Sequence, residues 1–157
     1  MNLSGRTYLW PVVFLRVWVG YYMLQQGIRK YLSGFAHGDW VTRQIGDMDK
    51  VELISWYKSF LVNVVIPNRE LFGYLVTSGE ILIGFCLIIG LLVRLCSAVA
   101  LFQFANYVLG PGMARGGATL ANSETFFIAM IVFLFTNAGR TLGADGLFFR
   151  GRSKGPS

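Results

Sequence analysis

Residues 71–93 read LFGYLVTSGEILIGFCLIIGLLV, and Glu80 is the only charged side chain among them. An apolar run of about 20 residues is long enough to cross the hydrocarbon core of a membrane as one α-helix. The segment therefore predicts a transmembrane helix. Because an ionised group in hydrocarbon is costly, Glu80 is expected to have a charged or polar partner, or to face a watery cavity.

Apolar segments on both sides of this one predict three more transmembrane helices. The four predicted spans are residues 8–25, 71–93, 95–110 and 122–138. Arg94 is expected at a tight turn between the second and third spans, and Gly110-Pro111-Gly112 is expected to end the third. We predict an all-α fold, an integral membrane four-helix bundle forming a single domain. Its first loop, residues 26–70, carries an amphipathic interfacial helix, and the tail, residues 151–157, is expected to be disordered.

The composition of the whole chain agrees with a membrane protein. Of its 157 residues, 54% are hydrophobic and 14% are charged, against roughly 25% charged in a soluble domain. This balance excludes intrinsic disorder and disfavours a soluble globule. One histidine and two cysteines cannot build a disulfide framework or a Cys/His zinc site, so no metal site is expected. The net charge of +6 is attributed to membrane topology and lipid contact, and no nucleic acid is expected as a partner.

The first loop contains apolar residues at helical spacing, followed by Pro67. These residues are Val51, Ile54, Tyr57, Phe60, Leu61 and Val64. The spacing predicts an amphipathic helix that ends at the proline. Two positions for this helix are open: in the membrane interface, or packed on the loops of the membrane domain itself.

The few polar residues inside the spans are candidates for a functional site. Measured from the membrane side that bears the termini, Arg16 lies about 12 Å deep and Glu80 about 18 Å deep, at 1.5 Å per helical residue. Gln103 and Asn106 of the third span fall at about these two depths. We therefore predict an Arg16–Glu80 pair completed by Gln103 and Asn106. It is either a quinone-headgroup or proton-transfer site or a structural ion pair, and Arg16 could instead anchor a partner subunit.

A second group of polar residues lies where the first span is predicted to end. Arg29 and Lys30 are expected at the level where Glu124 begins the fourth span, and an acid stabilises a helix N-terminus. Capping and contact with the interface explain these residues. The alternative is that the cations bind a lipid phosphate or an anionic substrate.

Three short motifs give the chain a family resemblance. The first is Gly27-Ile28-Arg29-Lys30 at the end of the first span. The second is Glu80-Ile81-Leu82-Ile83-Gly84 with the following Gly90-Leu91-Leu92-Val93-Arg94, and the third is Ala138-Gly139-Arg140 with Leu142-Gly143-Ala144-Asp145. In their order and their placement at helix ends, they resemble those of the DoxX/DoxD family of small four-span membrane proteins.

The resemblance implies a function in a redox membrane complex. The DoxD branch is the small subunit of thiosulfate:quinone oxidoreductase, so this chain is expected to act with other subunits in a bacterial or archaeal cell membrane. The distribution of basic residues favours cytoplasmic termini. Since the chain carries no recognisable cofactor-binding motif, it is not expected to be a complete enzyme by itself. A quinone, lipid or pigment contact is possible without a recognisable binding motif. The alternative is a non-catalytic structural accessory subunit of a larger respiratory or photosynthetic assembly, in contact with lipids or pigments.

Overall fold

The computed structural model describes residues 10–37, 42–43, 45–46, 54–136, 138–139 and 143–148. Within these ranges the regular structure is helical, with no strand. The helices are α1 Trp10–Leu32, α2 Ser55–Phe60, α3 Arg69–Ile89, α4 Val93–Tyr107, α5 Met113–Arg115, α6 Gly117–Phe135 and α7 Ala144–Phe148. The predicted disordered tail, residues 151–157, and the start of the predicted loop helix at Val51 lie outside the described residues.

Among the described helices, α1 and α3 have the most extensive contact with each other, because glycines let their backbones approach closely. A Cβ atom added to Gly84 would lie 2.5 Å from the backbone nitrogen of Leu24, and one added to Gly20 would lie 2.9 Å from the carbonyl oxygen of Gly84. Farther along the pair, Gly27 faces Ile81. Residue numbers rise on α1 as they fall on α3, so the two helices are antiparallel. Small residues are the usual means of close helix packing in membranes.

Among the residues that the structure describes, three helical segments are long and apolar enough to cross a membrane. They are Arg69–Ile89, Val93–Gly112 and Gly117–Phe135. Helix α1 is not among them because Arg16, Gln25 and Gln26 interrupt its apolar residues. The described part of the chain is thus helical, with segments apolar enough for a membrane protein, and a fourth span at α1 stays a prediction.

The ends of several helices differ from the predicted ends. Helix α1 continues to Leu32, well past residue 25, and α6 begins at Gly117 rather than near residue 122. Gly110-Pro111-Gly112 does not stop the third apolar segment. Instead, α4 continues into a π-helical turn over Val108–Gly112 with Pro111 inside it. Pro111 has no N–H to donate, and the wider turn accommodates it.

The helix of the first loop is shorter than expected. Helix α2 continues into a π-helical turn over Leu61–Val65. Tyr57, Leu61 and Val65 are buried in a small cluster, with Phe72 of α3 packed against it. This helix therefore contacts α3, whereas the two predicted positions are the membrane interface and the loops of the membrane domain, and both stay predictions.

A short C-terminal segment closes the turn between α3 and α4. Asp145 of α7 accepts hydrogen bonds from the backbone N–H groups of Leu92 (2.7 Å) and Val93 (3.1 Å), where α4 begins. The Asp145 backbone N–H donates to the Gly90 carbonyl at 3.0 Å. Because the first N–H groups of a helix have no partner within it, this carboxylate caps α4.

Candidate functional site

A hydrogen-bonded cluster of four side chains lies between α1, α3 and α4. The Lys30 Nζ atom donates to Glu80 Oε1 at 2.6 Å and to the Tyr107 hydroxyl at 2.9 Å. The Tyr107 hydroxyl donates to Glu80 Oε1 at 2.6 Å, and Gln103 Nε2 lies 3.1 Å from the Tyr107 oxygen. We call Lys30, Glu80, Gln103 and Tyr107 the acid–tyrosine cluster.

Local helical structure explains how these side chains meet. Since α1 extends to Leu32, Lys30 is helical and faces α3 instead of lying in a loop. Gln103 and Tyr107 are four residues apart on α4, so they share one face of that helix. Gly27 allows α1 close to α3, and a Cβ there would lie 3.1 Å from the Cβ of Glu80.

The Glu80 carboxylate is buried and only partly satisfied. Its residue is 4% exposed, and Lys30 compensates its charge. The Lys30 ammonium also lies over the Tyr107 ring, 5.0 Å from the centroid, which favours the cation further. Glu80 Oε1 accepts from Lys30 and Tyr107, but Glu80 Oε2 has no hydrogen-bond partner among the described residues. A buried oxygen without a partner is free to accept a proton or a ligand's hydrogen bond.

Two cavities border this cluster from opposite sides. The first, about 320 Å³, is mainly apolar, and Gln103 and Tyr107 are two of the polar residues in its wall. The second, about 370 Å³, is lined by Lys30, Glu80 and Tyr107 together with other polar residues. We call them the apolar cavity and the polar cavity. Tyr107 lies in the walls of both.

The predicted Arg16–Glu80 pair is wrong. Glu80 pairs with Lys30, and Arg16 Nη1 donates to the Ala138 carbonyl oxygen. The antiparallel packing places Arg16 against Gly90, where an added Cβ would lie 2.7 Å from its Nη1 atom. Gly90 is ten residues beyond Glu80, which is about 15 Å along a helix. Depths counted from the predicted ends of the spans gave the wrong partner for Glu80, because α1 and α3 do not pack with those ends at the same level.

The remaining predicted site residues occupy different places. Gln103 joins the acid–tyrosine cluster, whereas Asn106 contacts the Tyr57 hydroxyl at 3.4 Å and lines the apolar cavity. Arg29 is exposed on α1. Glu124 is also exposed and lies within α6, because that helix begins seven residues earlier at Gly117.

Sequence reasoning missed Tyr107 as a site residue. A tyrosine near the end of a span is typical of interface anchors, so its position did not indicate that it belongs to a hydrogen-bonded cluster. The spacing of Gln103 and Tyr107 was the available signal, because residues four apart on a helix face the same neighbour.

The described residues provide no group of three or more His, Cys, Asp or Glu side chains able to hold a metal ion. The acid–tyrosine cluster can instead exchange protons and form hydrogen bonds. Its ammonium, phenol and amide all lie within hydrogen-bonding reach of one carboxylate oxygen, Glu80 Oε1. Such a group suits proton transfer or recognition of a ligand carbonyl or hydroxyl.

These features define a helical membrane protein with an ion pair buried among its apolar helices. Its family is given by comparison: a DoxX family model matches residues 12–109, more than half of the chain, and the chain belongs to the DoxX family. No curated protein and no solved structure matches it. The matched range includes Lys30 and Glu80, whereas Gly143 and Asp145 lie beyond it.

Proposed function

We propose that this DoxX family protein is a membrane subunit of a quinone-linked redox complex and that its apolar cavity holds the quinone. The observation that carries the proposal is the acid–tyrosine cluster at the wall of the apolar cavity. Ligand cavities are typically apolar with a few polar groups that orient the ligand, and their volumes begin at about 300 Å³. The 320 Å³ apolar cavity falls in this range.

The position of the apolar cavity supports a lipid-soluble ligand. Leu75, Val99 and Phe102 line it, and all three are exposed on the apolar surfaces of α3 and α4. Since these helices are long and apolar enough to span the membrane, an opening between them faces lipid. A ligand dissolved in the bilayer can enter there without crossing water.

The residues at the inner wall fit a quinone headgroup. The Gln103 amide nitrogen has one ordinary hydrogen bond, to the Tyr107 oxygen at 3.1 Å, and reaches Glu80 Oε1 and the Val76 carbonyl only at 3.4 and 3.5 Å, so its second N–H can serve a ligand oxygen. The Tyr107 hydroxyl would be a second donor when it turns from Glu80 Oε1 to the ligand. A quinone bound there would supply redox chemistry, while this chain would position its ring and control its protons. Partner subunits would supply the electrons.

Filling the apolar cavity tests this proposal. A Cβ at Gly79 would meet Gln103 Oε1 at 3.8 Å, an ordinary contact, so Gly79→Leu adds a side chain toward the cavity without backbone strain. In lipid nanodiscs, we expect this change to weaken decylubiquinone binding at least tenfold. Ser78→Leu is the matched control because Ser78 is the exposed neighbour on the same helix, and it should stay within twofold of the unmodified protein.

The subunit role needs a second measurement, which is gentle purification followed by identification of the copurifying proteins and small molecules. A quinone-linked redox enzyme among them would support the proposal. Saturable binding that persists in Gly79→Leu, or no binding to the unmodified protein, would contradict the quinone site. Bound lipid or pigment without a redox partner would favour the accessory-subunit alternative.

A further inference from the structure

The two cavities that meet at the acid–tyrosine cluster differ in what they open to. The apolar cavity is lined by Leu75, Val99 and Phe102, which are exposed on the apolar surfaces of α3 and α4. The polar cavity is lined by Arg115 and Asn122, which are exposed near the start of α6. The exposed apolar residues therefore make the first cavity accessible to a lipid-soluble ligand, and the exposed polar residues make the second accessible to water.

The residues between the cavities are arranged in series. Glu80 lines the polar cavity, Gln103 lines the apolar cavity, and Tyr107 lines both. The Tyr107 hydroxyl is 2.6 Å from Glu80 Oε1, and Glu80 Oε2 has no partner among the described residues. A phenol and a carboxyl group in direct hydrogen bond are the components of a short proton relay.

We propose that the polar cavity is a water-filled proton entrance and that Glu80 and Tyr107 pass protons from it to a ligand in the apolar cavity. A proton moves from water to Glu80 Oε2. The Tyr107 hydroxyl turns from Glu80 Oε1 and gives its proton to the ligand oxygen. The Glu80 carboxyl group then rotates, and its new proton moves to the Tyr107 oxygen. One proton enters, one leaves, and the relay itself transfers no electrons. This proposal rests on the proposed function only for the identity of the ligand that finally accepts the proton.

Charged groups around Glu80 suit this role. Lys30 from α1 compensates the carboxylate before a proton arrives, and Arg115 from α5 stands in the wall of the same polar cavity. Gln26 from α1 and Asn122 from α6 line it with neutral groups that can hold water. On the side of α4, the neighbours of Glu80 are the neutral Gln103 and Tyr107.

Access to Glu80 from the polar cavity is tested with a water-soluble carbodiimide and glycine ethyl ester, with the labelled residue identified by mass spectrometry in nanodiscs. We expect Glu80 to be labelled, and Asn122→Phe at the cavity mouth to slow labelling at least fivefold. Thr125→Phe, an equivalent change at an exposed position on the same helix, should leave the rate within twofold. Labelling of folded Asn122→Phe at the unmodified rate would overturn the proposed entrance. If that variant fails to fold, Gln26→Leu makes the same test from α1.

The relay step is tested by reducing bound decylubiquinone at an electrode and following proton uptake with a pH dye. We expect Tyr107→Phe to slow proton uptake at least tenfold at saturating decylubiquinone, because the relay loses its phenol while Gln103 still contacts the ligand. Uptake at the unmodified rate in this variant would overturn the relay. Absence of decylubiquinone binding would count against the proposed function alone, and the labelling experiment would still decide whether water reaches Glu80.

Discussion

Helix α1 carries cations at two levels, and the surroundings of the two levels differ. Arg16 is 1% exposed, donates to the Ala138 carbonyl, lies beside Gly90 and Gly143, and lines neither of the two cavities. Lys30 and Glu80 line a cavity, and Glu80 keeps one oxygen without a partner. A charge enclosed by backbone stabilises one structure, whereas a charge beside open volume can react with what enters it. The first level is therefore structural, and the second is the functional candidate.

The Arg16 level should give the largest loss of stability. Arg16→Met removes the donor to Ala138 and a buried cation that interacts electrostatically with Asp145. Removing a buried cation leaves the polar groups around it uncompensated, so we expect a loss of about 3–5 kcal/mol. Equilibrium unfolding in mixed detergent micelles would measure the loss.

Arg29→Met is the matched control for that experiment, since Arg29 is exposed on the same helix. A surface substitution is expected to change the free energy of unfolding by less than about 0.5 kcal/mol. Equal losses in the two variants would mean that Arg16 is not a structural anchor, and the contrast between the two levels would fail.

The Lys30–Glu80 level should give a smaller loss. Glu80→Gln keeps the shape of the side chain but weakens its bonds to Lys30 and Tyr107, and hydrogen bonds to charged groups contribute about 1.5–3 kcal/mol. The adjoining polar cavity can solvate the remaining lysine. The free energy of unfolding should therefore fall by less than it does in Arg16→Met. Proton uptake with bound decylubiquinone should fall at least tenfold.

Glu124→Gln is the control for Glu80→Gln, because Glu124 is an exposed acid in α6 and borders neither cavity. It should leave both stability and proton uptake unchanged. Should Glu80→Gln lose as much stability as Arg16→Met and yet keep normal proton uptake, Glu80 would be structural too.

The sequence was enough to predict helical membrane segments, since apolar runs interrupted by single charges have few other solutions. It was not enough to pair the charges. Glu80 was recognised as needing a partner, but the choice between Arg16 and Lys30 depends on where α1 ends and how far it is shifted along α3. That shift is set by backbone contacts at Gly20, Gly27 and Gly84, which no depth estimate includes. The family motifs contained both members of the pair without showing that they touch.

The smallest effect is expected at Tyr57, which joins the helix of the first loop to the apolar cavity. Tyr57 is 5% exposed, and its hydroxyl donates to the Asn106 carbonyl at 3.3 Å. Tyr57→Phe removes this bond and keeps the packed ring, so the loss should be about 0.5–1.5 kcal/mol. Because the buried ring remains, decylubiquinone binding should change less than in Gly79→Leu. Equilibrium unfolding measures the stability and equilibrium binding the affinity.

The stability difference between the unmodified protein and Tyr57→Phe should depend on pH, which gives an independent check. Burial raises the pKa of Tyr57 above its ordinary value of 10.0. The folded state therefore favours the protonated phenol, and its contribution is fully present below pH 10.0, then falls as the pH rises toward the folded-state pKa. The stability advantage over Tyr57→Phe should accordingly narrow above pH 10.0. A constant difference from pH 8 to about pH 11 would mean that water reaches the hydroxyl, and that the loop helix packs less tightly on the membrane helices than its buried tyrosine indicates.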